Sequence, residues 1–67
     1  MKIVVNYVKG RWEIDLPEGA TVADAISAIK VPVDDIGFAI IDGKVVRKDY
    51  GLKNGDEVTL YAAIVGG

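Results

Sequence analysis

Sixty-seven residues hold one domain at most, and at that length a single apolar core leaves only a few kcal/mol of net stability. The chain has no Cys and no His, which excludes disulfide staples, thiolate or imidazole metal sites and Cys-ligated iron–sulfur clusters. Eight Lys plus Arg against ten Asp plus Glu give a net charge of −2, too little positive field to gather a phosphate backbone, so nucleic acid is not an expected partner.

The apolar fraction of 51% with 27% charged residues of both signs predicts a packed soluble domain rather than disorder. No run approaches the ~20 apolar residues of a membrane span, and "MKIVVNYVKG" enters strand pattern directly without the layout of a signal peptide. The cytoplasm is therefore the expected compartment, without membrane contact.

Met1 to Val8 is rich in β-branched residues, and Lys9-Gly10 offers the positive-φ position of a tight hairpin leading into Arg11 to Leu16. In "RWEIDL", Trp12, Ile14 and Leu16 share one parity and Glu13 and Asp15 the other, which places Trp12 in the core rather than against a ligand. The period then changes. Val22, Ala25, Ile26 and Ile29 recur at i, i+3, i+4 and i+7, the stripe of a helix packed on a sheet, predicted from about Val22 to Lys30. Thr21 is its expected N-cap with Asp24 three residues on in a capping-box arrangement, and Pro32 is expected to close it.

"GFAIIDGKVV" reads as strand, Asp42-Gly43 turn, strand. Two further turns are expected at Tyr50-Gly51 and Asn54-Gly55-Asp56, before a last strand from Glu57 to about Ala63. In that strand Val58, Leu60 and Ala62 form the better core face, leaving Tyr61 outward as a candidate binding hot spot. The order β-β-α-β-β-β predicts an α+β fold, a mixed sheet gripping one helix, which is the β-grasp (ubiquitin-like) architecture.

Catalytic machinery is not evident. Asp34 and Asp35 are adjacent, project differently from an extended chain and have no third ligand at a suitable spacing, so they read as a surface turn. "NGDE" at Asn54 to Glu57 lacks the spacing of a calcium loop, no phosphate-cradling "GxxxxGK[ST]" occurs, and Ser27 has no base beside it. Lys44, Arg47 and Lys48 read as a solvated strand end. No metal and no bound cofactor are expected.

The chain ends "YAAIVGG", and an arbitrary chain ends in Gly-Gly only about 0.5% of the time at ordinary glycine usage. "LPEGATVADAI" followed by "IDGKVVRKDYGLKNGDEVTLYAAIVGG" resembles the MoaD/ThiS family of ubiquitin-like sulfur carriers over nearly the whole chain. The ordered set of strand, Asp-Gly turn, basic strand, "L-x-x-G-D-E-V", strand and Gly-Gly carries the resemblance. Two departures stand out: many molybdopterin-type members have Pro-Pro where this chain has Ala62-Ala63, and thiamine-type members carry a longer insertion around "RKDYGLKNGD".

The resemblance implies a protein co-substrate rather than an enzyme, in the manner of the small subunit of a molybdopterin synthase-like complex. Its working group would be the carboxylate of Gly67, adenylated by an E1-like enzyme that uses ATP and then converted to a thiocarboxylate by a sulfur donor. The acceptor would be a synthase, either the large subunit of molybdopterin synthase in molybdopterin or tungstopterin biosynthesis, or thiazole synthase in thiamine biosynthesis. Partner contact is expected at Gly66, Val65, Ile64 and Tyr61, with Val4 by outward parity and Ile40 from the apolar "FAII" segment. Residues 1–67 form a single domain in this reading, and residues 64–67 a flexible tail whose glycines suit threading into a buried site. Two alternatives remain at this point: a ubiquitin-like modifier forming isopeptide bonds through Gly67, and a non-covalent β-grasp binding module.

Overall fold

The alternation of β-branched and polar residues from Lys2 onward produces a strand whose odd positions face inward: Ile3 and Val5 are buried while Lys2, Val4 and Asn6 face out. The computed structural model describes residues 1–63, and the residues expected to form the reactive tail, Ile64, Val65, Gly66 and Gly67, lie outside the described residues. Five strands, β1 (Lys2–Tyr7), β2 (Gly10–Asp15), β3 (Ile36–Ile41), β4 (Lys44–Val46) and β5 (Glu57–Ala62), and one helix, α1 (Val22–Ala28), follow in the order β1-β2-α1-β3-β4-β5. The sheet order is β2-β1-β5-β3-β4. The first and last strands therefore meet at its centre, parallel, with Val4, Val5 and Asn6 opposite Glu57, Val58 and Thr59. β2 and β3 each run antiparallel to one central strand, so the α1 connection spans the two middle strands.

Helix α1 covers one face of this sheet. Val22, Ala25, Ile26 and Ile29 are all buried against Ile3, Val5, Ile36, Ala39, Ile41, Val58 and Leu60, with Leu52 closing one end. Trp12, Ile14 and Leu16 are partly buried and pack on the edge of the same core, as their parity predicts. The core is apolar: among the described residues no polar or charged residue is buried, and no buried side-chain polar atom lacks a hydrogen-bond partner. No described helix is long and apolar enough to cross a membrane.

The start of α1 follows the capping chemistry of its sequence. The Asp24 amide donates to Thr21 Oγ1 at 3.4 Å and the Thr21 amide donates to Asp24 Oδ2 at 2.8 Å, so both arms of the capping box are present. Its end does not follow the prediction. The helix stops at Ala28 with Ile29 as C-cap, two residues short of Lys30, and Pro32 is not what closes it. Lys30 adopts φ 61°, its amide donates to the Ser27 carbonyl at 3.0 Å, and the Val31 amide donates to the Ile26 carbonyl at 3.3 Å. This pair of bonds is a Schellman closure with a lysine at the position that usually takes glycine. Left-handed backbone costs a side-chain-bearing residue about 1–2 kcal/mol, part of which glycine returns through unfolded-state entropy. Lys30→Gly is therefore expected to stabilise the fold by about 0.5–1 kcal/mol, read as a higher urea midpoint at unchanged slope.

The turns agree in part with the sequence. Asp42 (φ 53°) and Gly43 (φ 76°) form the two-residue loop joining β3 and β4, both positive as a type I′ turn demands. Gly55 at φ 89° completes the turn from Lys53 to Asp56, which Asn54 Oδ1 ties to β1 by accepting from the Lys2 amide at 2.7 Å. Two expectations are corrected. In the first hairpin Tyr7 pairs with Gly10, so the loop is Val8-Lys9 and Gly10, at φ 151°, already belongs to β2. Tyr50-Gly51 is not a turn: the chain reverses between Arg47 and Tyr50, and Gly51 bridges to Thr21. The backbone of that loop instead secures α1, with the Lys48 and Tyr50 carbonyls accepting from Ala23 at 2.9 Å and Val22 at 3.0 Å. These bonds satisfy amides that a helix start leaves without intrahelical partners.

Candidate protein-docking face and carrier terminus

The face of the sheet opposite α1 is uncovered. Ile40 lies directly across from Thr59 on one side and Val45 on the other, and Thr59 lies across from Asn6. Residues in register share a face, so this row stands on the outer surface with Phe38 and Tyr61 two positions further along their strands. Phe38 and Tyr61 are paired residues whose rings stack at a centroid distance of 4.8 Å and an interplanar angle of 9°. They are 42% and 43% exposed. A stacked pair contributes about 0.5–1.5 kcal/mol beyond its area, so the rings are held to each other while remaining open to a partner.

The pair forms a ridge between two open depressions. On the β4 side the depression is lined by Gly37, Phe38, Val45 and Val46 with Arg47, Lys48 and Asp49. On the β1 side it is lined by Asn6, Tyr7, Val8, Thr59, Leu60, Tyr61 and Ala62. Val45 and Val8 are 69% and 84% exposed, large apolar side chains that the fold leaves without cover. Apolar and aromatic groups bordered by charge are the composition of a protein-docking surface.

Of the residues expected at a partner surface, Tyr61 stands at the ridge and Ile40 beside it on the same face. Val4 is also outward, but it pairs with Glu57, four residues from Tyr61 along β5, or about 13 Å by strand rise. It faces a separate groove with Lys2, Glu13 and Asp15, so the structure does not bring it to the aromatic ridge. Asn6 Nδ2 donates to Glu57 Oε2 between the two regions. Asp34 and Asp35 lie in a single 3-10 turn, Val33–Asp35, and among the described residues no cluster of three or more His, Cys, Asp or Glu could hold a metal ion.

The sequence reading missed Phe38, Val45 and Val8. Val45 carried a usable signal: a two-residue Asp42-Gly43 loop sets the pairing of Ile41 with Lys44 and hence of Ile40 with Val45. Phe38 did not, because β3 is apolar on both parities and carries a bulge, considered below. Ala62 departs from its expected parity as well. It is exposed although it pairs with the buried Ile36.

A five-stranded mixed sheet with central parallel first and last strands, gripping one helix, defines the ubiquitin-like β-grasp class. The particular family follows from the comparisons: a model of the ThiS family matches residues 4–67, and the chain belongs to that family of ubiquitin-like sulfur carriers. Among solved structures, SAMP1 from Haloferax volcanii aligns with a TM-score of 0.74 at 18% identity, covering 100% of both chains. A protein assigned as molybdopterin converting factor subunit 1 from Pyrococcus furiosus aligns at 0.71 and 28% identity, covering 94% of this chain and 98% of that one. A ubiquitin of Caldiarchaeum subterraneum aligns at 0.68 and 23%, covering 100% and 98%. A search of curated protein sequences returned no significant match.

Proposed function

We propose that this chain carries sulfur on the carboxylate of Gly67, which an E1-like enzyme activates while holding the chain by the Phe38–Tyr61 ridge. The observation that carries the proposal is the extent of the ThiS match, which continues from β1 through the Gly66-Gly67 end. A free carboxylate is a poor electrophile, and the chain holds no nucleophile–base pair or phosphate cradle of its own, so activation has to come from a partner. The carboxylate oxygen attacks the α-phosphorus of ATP and pyrophosphate leaves, giving an acyl-adenylate. A sulfur nucleophile at the oxidation level of hydrosulfide then attacks the carbonyl carbon, AMP departs with the C–O bonding pair, and a thiocarboxylate remains.

The thiocarboxylate is delivered to a synthase, and the similarity to a molybdopterin converting factor subunit at 28% identity favours the large subunit of molybdopterin synthase as acceptor over thiazole synthase. Nothing need be bound by the carrier itself, and the reaction sequence is proposed for the cytoplasm.

The test of docking is ATP–pyrophosphate exchange by the E1-like enzyme with this chain as the varied substrate. Exchange is expected to depend on the chain, and Tyr61→Ala is expected to raise KM about tenfold, the effect of removing one aromatic hot spot, while lowering stability by about 0.5–1.5 kcal/mol through loss of the stack, with the chain still folded. An unaltered KM would remove the ridge from the proposal.

A further inference from the structure

Strand β2 is an edge of the sheet, and among the described residues β1 is its only strand partner. Where this hairpin ends, Met1 and Leu16 exchange both bonds: the Met1 ammonium donates to the Leu16 carbonyl at 2.7 Å and the Leu16 amide donates to the Met1 carbonyl at 2.9 Å. Antiparallel pairs alternate between positions that exchange bonds and positions that turn their backbone groups away. Ile14 and Trp12 therefore bond to Ile3 and Val5, while Arg11, Glu13 and Asp15 present amide and carbonyl to the open side. β1 shows the same phase from its other side, where the Val4 amide donates to the Asp56 carbonyl at 3.0 Å.

An open edge of this kind is a template for another strand, and charged side chains on it ordinarily deter pairing. Here the charges sort the registers open to a second copy. Two antiparallel β2 strands can bond only with Arg11, Glu13 and Asp15 facing members of the same set. Registers that set Arg11 against itself, Glu13 against itself or Glu13 against Asp15 oppose like charges, which is destabilising. With Arg11 opposite the partner's Glu13, both such pairs join opposite charges on the outer face, and Lys9 is carried toward the partner's Asp15. On the helix side the same register sets Trp12 opposite the partner's Trp12 and Gly10 opposite the partner's Ile14. Trp12 is only partly buried, and its ring lies over Gly10, where a Cβ would stand 3.7 Å from Cη2 and 3.9 Å from Cζ2. The bare glycine leaves that ring open to the facing Ile14. The Trp12 pair falls at a position without backbone bonds, where facing side chains approach most closely, which suits two aromatic rings.

We infer that β2 is a self-association edge: two copies of the chain pair antiparallel through it, with Arg11 against the partner's Glu13 and Trp12 on the two-fold axis, joining the two sheets into one with both helices on the same face. This goes beyond the proposed carrier function and does not depend on it. The sheet order keeps β1 between the joined edge and β5, so the Phe38–Tyr61 ridge stays open in each copy. A single strand pair buries less than the roughly 1,200 Å² of a stable interface, so the dimer is weak and concentration-dependent.

The experiment is sedimentation equilibrium of the full chain from about 10 μM to about 2 mM, with Trp12 emission followed over the same range. The mass is expected to rise from 7.1 kDa toward twice that value with a midpoint of roughly 0.1–1 mM. Trp12 is the only tryptophan, and its emission should move to the blue over the same midpoint as the partner covers it. Arg11→Glu makes both cross-strand pairs like-charged and is expected to weaken association at least about tenfold, whereas Arg11→Glu combined with Glu13→Arg should return it to within about threefold of wild type. Lys44→Glu, on the opposite edge of the sheet and with the same change in net charge as Arg11→Glu, should leave association within about twofold. A monomer at every concentration would overturn the inference and leave the edge to a strand of a different protein. It would equally fall if Arg11→Glu weakened the dimer no more than Lys44→Glu, if the exchanged charges failed to restore it, or if the mass rose without a change in Trp12 emission. Should a variant not fold, as its urea midpoint would show, the agreement of mass and Trp12 emission in wild type decides.

Discussion

Deleting Gly67 is expected to abolish activation of the chain, lowering its rate of adenylation by at least about a hundredfold, while leaving the fold intact. The deletion still leaves a carboxylate, now on Gly66, and still leaves the ridge proposed to dock. What changes is reach. One residue of extended chain is about 3.3–3.6 Å, well beyond the ~1 Å error that already costs two orders of magnitude when a reacting group must be aligned in a fixed site. Adding one alanine after Gly67 errs by the same distance in the other direction and introduces a side chain where the partner has accommodated two glycines. Stability should not respond, because among the described residues burial ends at Leu60 and β5 at Ala62. The measurement is ATP–pyrophosphate exchange paired with urea unfolding. A truncated chain adenylated at the wild-type rate would show that the enzyme does not read the terminus by length.

The second large effect is on the fold. Ile26→Ala is expected to cost about 2–5 kcal/mol, the range for removing a fully buried isoleucine whose cavity relaxes only in part. Ile26 has no exposed surface and sits on α1 among Ile3, Val5, Val58 and Leu60. Its carbonyl also accepts the Val31 amide that closes the helix, so the site is tied to the Schellman turn and has little freedom to collapse. A domain of 67 residues has roughly 3–10 kcal/mol of total stability, and with no Cys no disulfide supplements it. The variant should therefore be partly unfolded at 25 °C, seen as a much lower urea midpoint and an enlarged disordered signal by circular dichroism. A loss below 1 kcal/mol would mean that the helix is not the principal clamp on the sheet. Ser27→Ala, one residue along on the exposed face, should change stability by no more than a few tenths of a kcal/mol.

Features set by neighbouring residues were legible in the sequence. The capping box needs Thr21 and Asp24 three residues apart, the I′ turn needs Asp42-Gly43, and the helix stripe needs Val22, Ala25, Ile26 and Ile29 on one face; each is a local rule, and each appears in the structure. The β-grasp order was legible for the same reason, as a succession of such local signals.

Features set by distant contacts were not. The parallel pairing of Val4, Val5 and Asn6 with Glu57, Val58 and Thr59 joins opposite ends of the chain, and no local period encodes it. The outward turn of Phe38 follows the bulge between Ile36 and Phe38, a register shift against β5 where the Gly37 backbone lies close to Ala62 and Ala63. The helix ended early because Lys30 accepted a left-handed conformation, an outcome of the two closing hydrogen bonds rather than of its own preference. Tyr61 could be assigned outward by parity alone, whereas its stacking partner could not, and so only half of the ridge was visible beforehand.

The pair also gives Tyr61 a role that parity could not. Stacked at 4.8 Å on Phe38, it links the docking face to the strand that ends one residue before Ala63. In the proposed reaction the sheet supplies recognition and the C-terminal residues supply chemistry, and the end of β5 joins the two.

The most direct test of that account is the intact mass of the chain after incubation with its E1-like enzyme, ATP and a sulfur donor. The account predicts a gain equal to the replacement of one oxygen by one sulfur, confined to the C-terminal fragment and absent when ATP is omitted. An unchanged mass with an enzyme that is active on its own carrier, or a gain located anywhere but the C-terminal fragment, would contradict it.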